Sequence, residues 1–200
     1  MKKYFFATIL VLMVLAVTGC SNKEINITAE EVATNTMLVK RNGTLQVAIV
    51  EDFSKEYYKL GELEEFVKKE ISTYNQKAGN DAVAIKELSM KNGKAVMLLG
   101  YAGMAHYSAF NNVTAAYFGA DTKDVSLELP DQFISAKNGT KVDRATALKN
   151  GKHRVLVVYE PYDIIVDGKV KYYSGNATMT EDVVKSNGEG ATVVIYDPAK

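Results

Sequence analysis

The first half of the chain contains short apolar runs joined by turn signals. Apolar runs at 37–39 and 45–50 flank Asn42-Gly43, and runs at 82–90 and 94–101 flank Asn92-Gly93. Asn-Gly favours a two-residue hairpin turn, because both of its residues must adopt a positive φ. The pattern therefore predicts two β-hairpins in this half.

Residues 60–76 form the clearest predicted helix. Apolar residues recur there at intervals of three and four, which is the spacing of one buried helical stripe. The stripe consists of Leu63, Phe66, Val67, Ile71 and Tyr74. A shorter helical segment is predicted at 103–111. The first half is therefore expected to follow the order β-β-α-β-β-α.

After about residue 122 the pattern becomes mostly β. Strand-like apolar runs occur at 133–135, 153–160, 163–166, 170–174 and 191–196. No Pro-rich or Gly/Ser-rich linker separates the two halves. We predict a single α+β domain over residues 36–200, with antiparallel sheet and one main amphipathic helix. Two packed subdomains that divide near residue 122 are the alternative.

The first twenty residues predict export and attachment to lipid. Met1-Lys2-Lys3 is positively charged, and residues 4–17 are uncharged and almost wholly apolar. A helix of this length spans roughly 21 Å, too short for a hydrocarbon core of about 30 Å. Such a segment is typical of a signal peptide, here assigned to residues 1–19. Val17-Thr18-Gly19-Cys20 resembles the lipobox of bacterial lipoproteins, which implies cleavage before Cys20 and diacylglycerol on its thiol.

The lipobox resemblance implies an extracytoplasmic protein held on the membrane through the lipid on Cys20. Residues 21–34 after this cysteine are polar and show no sustained apolar period. Such a sequence favours an extended linker over a packed element. We therefore predict that residues 20–35 form the lipidated cysteine and a tether to the domain.

Composition and motifs exclude several kinds of chemistry. Cys20 is the only cysteine, so no disulfide can form within the chain, and acylation would leave no thiolate. The two histidines, His106 and His153, belong to no His-Glu-x-x-His motif, and nucleophile-elbow and phosphate-binding glycine motifs are missing. The formal charge is zero, with both signs scattered. We predict no metal, no cofactor and no nucleic-acid partner.

Two pairs of acidic residues follow predicted strands. Glu51 and Asp52 come directly after the apolar run at 45–50, and Glu160 and Asp163 flank a Pro-Tyr turn. Two carboxylates suffice for glycosidase-type hydrolysis if they meet in one cleft. Acidic residues are also common where a strand returns to water, and that interpretation is favoured.

Tyrosine is the distinctive excess of the composition. The chain has twelve tyrosines and no tryptophan, and several tyrosines are clustered or lie next to turns. A tyrosine combines a flat apolar face with a hydroxyl, which suits a surface that binds sugars, peptides or proteins. The candidate binding residues are Tyr101, Tyr107, Tyr159 and Tyr162. Structural tyrosines of a β-rich core are the alternative.

One segment of the domain resembles part of a known group of proteins. Glu51-Asp52-Phe53 through Tyr57-Tyr58, followed by Glu64-Glu65-Phe66-Val67 to Tyr74-Asn75, is similar to a segment in uncharacterised surface lipoproteins of Gram-positive gut clostridia. The resemblance covers mainly residues 1–20 and 45–110. It implies a single-membrane cell with the domain facing outward. It implies no catalytic residues, because that family has no established activity.

These observations favour a membrane-anchored, non-enzymatic module that binds a protein, peptide or glycan. Two alternatives remain open at the level of the sequence. One is an envelope hydrolase that uses carboxylates, and the other is a structural subunit of an envelope complex.

Overall fold

The computed structural model describes residues 24–122 and 127–200 of the chain. Its described residues form thirteen strands and three helices, which confirms the mixed α+β class. The predicted signal peptide and Cys20 lie outside the described residues.

The secondary-structure elements alternate in the first half and are mostly strands in the second. The strands are β1 (Thr36–Val39), β2 (Leu45–Asp52), β3 (Val83–Lys91), β4 (Lys94–Tyr101), β5 (Ala115–Gly119), β6 (Gln132–Ser135), β7 (Lys141–Asp143), β8 (Arg154–Val158), β9 (Asp163–Val166), β10 (Gly168–Ser174), β11 (Ala177–Thr180), β12 (Val183–Ser186) and β13 (Thr192–Pro198). The helices are α1 (Leu60–Ala78), α2 (Met104–Asn111) and α3 (Arg144–Leu148).

The strands form two sheets. The seven-stranded sheet has the order β11-β12-β9-β1-β2-β4-β3, and the six-stranded sheet has the order β5-β8-β13-β10-β6-β7. Neighbouring strands are antiparallel with one exception: β1 and β9 are parallel, with Met37 opposite Ile164. The seven-stranded sheet is thus mixed, which corrects the expectation of a purely antiparallel sheet.

The main core lies between the two sheets. Met37, Val39 and Val47 of the seven-stranded sheet belong to the same apolar cluster as Leu156 and Val194 of the six-stranded sheet. Strands from both sides of residue 122 share the larger sheet and this core. The described residues therefore pack around a common interior, as expected when two sheets each bury one apolar face.

Helix α1 covers part of the inner face of the seven-stranded sheet. Val67 and Ile71 are buried, and the helix ends at Gly79, whose φ of 73° is the left-handed conformation that glycine tolerates best. Phe66 differs from the prediction, because 63 % of its surface is exposed. Phe66 lies at one margin of the predicted stripe, and the buried Ile71 lies at the other.

Residues 24–35 cross the outer face of the seven-stranded sheet, and we call them the N-terminal strap. Ile27, Ala29 and Val32 are buried there in a second apolar cluster, against Leu38 and Ala48 among others. The tether prediction therefore needs correction over residues 24–35, which pack onto the domain. Three apolar residues at spacings of two and three were enough to cover the outer face, although they show no regular period.

Side chains of the sheet hold the backbone of the strap. The Ile27 N–H donates to Oε1 of Gln46 at 3.0 Å, and the Ala29 N–H donates to Oε2 of Glu87 at 3.0 Å. These bonds satisfy strap donors that no strand partner reaches.

A third apolar cluster covers the outer face of the six-stranded sheet. Phe133, Val155 and Ile195 are fully buried there, together with Ala147 of α3. Helix α3 begins with Asp143, whose carboxylate accepts from the Thr146 N–H at 2.6 Å and caps the first turn. The same bond lowers the pKa of Asp143.

Candidate functional site

Three of the four candidate tyrosines meet in the core. Tyr101, Tyr107 and Tyr162 are 3 %, 1 % and 6 % exposed. The rings of Tyr101 and Tyr107 pack edge to face with centroids 5.3 Å apart, and the Tyr107 hydroxyl donates to the Tyr162 hydroxyl at 3.1 Å. The assignment of a binding surface to these three residues therefore needs correction. The Tyr107 and Tyr162 hydroxyls pair with each other, and the Tyr101 hydroxyl accepts from Nδ2 of Asn111, so burial leaves all three satisfied.

Burial changes the acid–base behaviour of these tyrosines. Loss of solvation raises the pKa of Tyr101, Tyr107 and Tyr162. A similar pair stands nearby, where the hydroxyls of Tyr117 and Tyr196 lie 3.0 Å apart and burial raises the pKa of Tyr196. Tyr101, Tyr107, Tyr162 and Tyr196 are therefore neutral at physiological pH and serve as hydrogen-bonded parts of the core.

The fourth candidate, Tyr159, lies apart from the other three. It packs on the outer cluster of the six-stranded sheet and lines a polar cavity of about 520 Å³. Arg144 also lines this cavity. Its guanidinium donates to the carbonyl of Pro130 at 3.1 Å and to Oδ1 of Asp131 at 2.5 Å, both in the loop before β6. The cation of this cavity is therefore already bonded to the protein, and its role is to hold this loop.

The candidate carboxylates do not converge. Asp163 on β9 is paired in register with Thr36 on β1, and Thr36 is paired with Ala48 on β2. Asp52 is four residues beyond Ala48 and two strands away from Asp163, which gives a Cα separation of roughly 16 Å. Neither pair lines the cavity beside Tyr159.

The local environment of Asp52 also differs from that of a general acid. The Ser54 N–H donates to its Oδ1 at 3.0 Å, and hydrogen bonding to Ser54 lowers the pKa of Asp52. A carboxylic acid that donates a proton near neutral pH needs the opposite shift.

Each histidine has a polar partner within the domain. Nδ1 of His106 lies 3.1 Å from the Tyr74 hydroxyl, and Nε2 of His153 lies 3.0 Å from Oδ1 of Asp197. Within residues 24–122 and 127–200, no three His, Cys, Asp or Glu side chains cluster closely enough to hold a metal ion.

The exposed aromatic residues lie elsewhere. Tyr57 and Tyr58 are 71 % and 42 % exposed, and Phe53 stacks on Tyr58 with ring centroids 4.8 Å apart. These three residues form an aromatic cluster in the loop between β2 and α1. Phe66, six residues after the start of α1, is with Tyr57 and Tyr58 the third exposed aromatic residue among those that the structure describes.

Phe66 borders an apolar groove between α1 and the inner face of the seven-stranded sheet. This Phe66 groove has a volume of about 380 Å³, within the range of ligand-binding sites. Its apolar lining comes from α1, β2, β4 and α2, and consists of Ile49, Phe66, Val67, Met97, Leu99 and Phe110, with the ring of Tyr74. Its polar lining consists of Glu70, Thr73, Lys77 and Asn111.

The groove follows the axis of α1. Phe66, Glu70, Thr73 and Lys77 repeat at intervals of three and four, so they form one ridge along the helix. The distance from Phe66 to Lys77 along the axis is roughly 16 Å. Glu70 and Lys77 place one charge of each sign on this rim.

The buried tyrosines support the opposite wall of the groove. Asn111 at the end of α2 donates from Nδ2 to the Tyr101 hydroxyl at 3.1 Å and to the carbonyl of Tyr107 at 2.8 Å. Phe110, its neighbour, packs edge to face on Tyr74 with centroids 5.4 Å apart. Tyr101 of β4 thus holds α2 beside the groove through the packing of Tyr107 on its ring and the bond from Asn111 to its hydroxyl.

Phe66 is the functional candidate that the sequence pattern misplaced. The 3.6-residue period assigned Phe66 to the buried stripe of α1. The period shows which residues share a face of the helix, but not which edge of that face is left uncovered by the rest of the protein. Glu62 and Glu70, four residues before and after Phe66 and therefore on its side of the helix, were the available signal that this side meets water.

Comparison with protein-family models, curated proteins and solved structures gives no match to this chain. Among the residues that the structure describes, no helix is both long and apolar enough to cross a membrane. The chemistry of the groove therefore carries the functional argument.

Proposed function

We propose that this protein is a lipid-anchored, extracytoplasmic binding module that holds a peptide segment in the Phe66 groove. The observation that carries the proposal is an exposed phenylalanine on the rim of an apolar groove. A large apolar side chain left in water is a characteristic of interaction sites, because its burial on binding is favourable. The anchor is the diacylglycerol that the lipobox places on Cys20.

The lining of the groove favours apolar side chains as its occupants. Ile49, Met97 and Leu99 form an aliphatic floor with no polar group to offer. The groove is roughly 16 Å long, which corresponds to about five residues of extended peptide. Glu70 and Lys77 on the rim are placed to meet the polar backbone or charged side chains of such a segment.

The same lining disfavours a glycan. A sugar buried on the aliphatic floor would lose water from its hydroxyls, and each hydroxyl left without a partner costs about 1–3 kcal/mol. Phe66 offers a ring for stacking, but the floor of Ile49, Met97 and Leu99 has no polar side chain to bind a sugar hydroxyl. The apolar side chains of a peptide carry no hydroxyl, so their burial on this floor avoids the cost of an unpaired hydroxyl.

The anchor is tested by replacement of the predicted lipidated residue. Cys20→Ser removes the thiol that accepts diacylglycerol, so we expect the chain to leave the membrane fraction and to lose incorporation of a labelled fatty acid. Ser21→Ala is the matched control and should keep both. Membrane retention of the Cys20→Ser chain would overturn the lipoprotein assignment.

The groove is tested with a displayed library of random peptides, panned against the unlipidated Cys20→Ser chain. We expect enriched peptides to carry apolar residues at two or more positions. Phe66→Ala should weaken binding of a synthetic enriched peptide about tenfold or more, because a central aromatic contact contributes about 2 kcal/mol. Isothermal titration calorimetry measures this change.

Met90→Ala is the control for the loss of an exposed apolar side chain. Met90 is 45 % exposed on β3 and lies outside the groove. Unchanged affinity in Phe66→Ala would overturn the assignment of the groove. Loss of affinity in Tyr57→Ala, with Phe66→Ala unaffected, would move the site to the aromatic cluster. Hydrolysis of a cell-wall glycan that is lost in Asp52→Asn would favour the hydrolase alternative.

A further inference from the structure

The strap enters the domain at one end of the seven-stranded sheet. Nζ of Lys40, next to the Asn42-Gly43 turn, lies 2.9 Å from a Glu24 carboxylate oxygen and 2.7 Å from Oδ1 of Asn26. Ile27 is buried and bonded to Gln46, the second residue of β2. Burial of Ile27 fixes the entry point more firmly than the exposed ion pair does. We call this end, with residues 40–44, the turn end.

The strap then runs to the opposite end of the sheet. The Val50 N–H donates to Oδ1 of Asn35 at 2.8 Å, and the Thr34 hydroxyl donates to Oδ2 of Asp163 at 3.0 Å. This opposite end also carries the Asn92-Gly93 turn and the loop at 53–59, because the Phe53 N–H donates to the Gly93 carbonyl at 2.8 Å. We call it the loop end.

The length of the chain before Glu24 limits where the lipid can lie. Cys20 is four positions before Glu24, and a fully extended chain of four residues reaches about 14 Å. Strand β2 has eight residues, which correspond to about 27 Å between the turn end and the loop end. The thiol of Cys20 can therefore approach the turn end, but it cannot reach the loop end.

We propose that the turn end of the domain faces the lipid surface and that the loop end points away from it. This proposal rests on the lipid anchor of the proposed function. The membrane-facing surface consists of the Asn42-Gly43 turn, the link between β4 and α2 at Ala102, and the start of β10. Gly103 closely approaches the carbonyl of Gly43, which places Ala102 beside this turn.

The charges at the turn end are compatible with a lipid surface. Lys169 is exposed, and Arg41 is paired with Asp167 at 3.1 Å. Glu24 is paired with Lys40, which lowers the pKa of the Glu24 carboxyl. Glu24 and Asp167 are thus paired with cations, the exposed Asp81 lies beside Ala82 at the same end, and the exposed Lys169 remains for anionic headgroups.

The orientation has a consequence for binding. The aromatic cluster of Phe53, Tyr57 and Tyr58 lies at the loop end, about the length of β2 from the headgroups. The Phe66 groove opens along the side of the domain, and its Phe66 end is the end farther from the membrane, because α1 starts at the loop end. A partner approaching from outside the cell meets Phe66 before it meets Lys77.

The test compares two fluorophore positions on the lipidated chain. Ala102→Cys at the turn end and Lys94→Cys at the loop end each introduce one thiol, and the acylated Cys20 does not react with the label. Both residues are exposed. The labelled proteins are reconstituted into phosphatidylcholine vesicles with a minor fraction of phosphatidylglycerol and a lipid that carries a nitroxide on its headgroup.

We expect several-fold stronger quenching at position 102 than at position 94. Equal quenching at the two positions, or stronger quenching at 94, would overturn the orientation. Failure of both proteins to float with the vesicles is a different result, because it would contradict the anchor and the orientation together. The Cys20→Ser chain with the Ala102→Cys label gives the level of quenching without attachment.

Discussion

The buried tyrosines and the exposed aromatic residues of this protein are chemically similar but have opposite surroundings. Tyr101, Tyr107 and Tyr162 lie in the core with paired hydroxyls, whereas Tyr57 and Phe66 are more than half exposed. The buried group holds α2, which forms a wall of the Phe66 groove, and the exposed group is available to a partner. An excess of tyrosine therefore does not by itself mark a binding surface.

The comparison also separates two uses of the tyrosine hydroxyl. In the core, each hydroxyl must find a protein partner, because an unpaired buried donor costs about 1–3 kcal/mol. On the surface, water supplies the partner. The four experiments below test this contrast in order of expected effect.

Truncation of a core tyrosine should have the largest effect. Tyr107→Ala removes a fully buried ring and leaves a cavity beside Tyr101, so we expect the free energy of unfolding to fall by about 3–5 kcal/mol. Urea denaturation followed by circular dichroism measures this loss. Tyr57→Ala is the surface control, and a comparable loss in that variant would remove the contrast.

Removal of one hydroxyl from the core pair should have a smaller effect. Tyr107→Phe leaves the Tyr162 hydroxyl without its partner, and we expect a loss of about 1–3 kcal/mol. The double variant Tyr107→Phe/Tyr162→Phe removes both hydroxyls and should cost less than the sum of the two single changes. A double-mutant cycle measures this coupling, and strict additivity would show that the two hydroxyls do not interact.

Alkaline pH should destabilise the fold through the buried tyrosines. Their pKa values are raised in the folded state, while an unfolded tyrosine titrates near pH 10. The stabilisation is therefore complete below about pH 10. Above it, the unfolded chain releases protons that the folded chain keeps, and stability falls by up to about 1.4 kcal/mol per pH unit for each such group.

Tyr101→Phe should make this alkaline decline shallower, as measured by urea denaturation between pH 9.5 and pH 11, roughly the range around the unfolded pKa. Asn111 keeps its bond to the Tyr107 carbonyl in this variant, so the fold should persist. Phe66→Leu changes an exposed side chain, leaves every tyrosine hydroxyl in place and should retain the slope of the parent chain. The same slope in all three proteins would contradict the role of the buried hydroxyl.

Truncation of Phe66 should have the smallest effect on stability. Because 63 % of its surface is exposed, Phe66→Ala should change the free energy of unfolding by no more than about 0.5 kcal/mol. Thermal and urea unfolding measure this change. A loss close to that of Tyr107→Ala would mean that Phe66 belongs to the core and would remove it from the candidate site.

The apolar pattern predicted the mixed α+β class, because helical and strand periods differ strongly over segments such as 60–76 and 45–50. It did not indicate β5, where Ala-Ala-Tyr-Phe-Gly has no alternation, since this edge strand has apolar clusters on both faces. The parallel pairing of β1 with β9 joins residues more than 120 positions apart. No local signal specifies such a contact.

The candidate site was less predictable than the fold class, for a related reason. Tyr101 ends the apolar run of β4 and Phe66 belongs to the apolar period of α1, so the sequence treats them alike, and only tertiary packing decides which of them is covered. The strap was missed because Ile27, Ala29 and Val32 are few and irregularly spaced, yet the outer face of the sheet required only a few apolar side chains to exclude water.

The path of the strap also gives the domain a mechanical property. The strap runs from the turn end to the loop end and then reverses into β1, which lies between β2 and β9. Tension applied at Glu24, directed away from the turn end, acts along the length of the strap. The buried contacts of Ile27, Ala29 and Val32 then bear the load together in shear, and the sheet behind them is loaded only after these contacts have yielded.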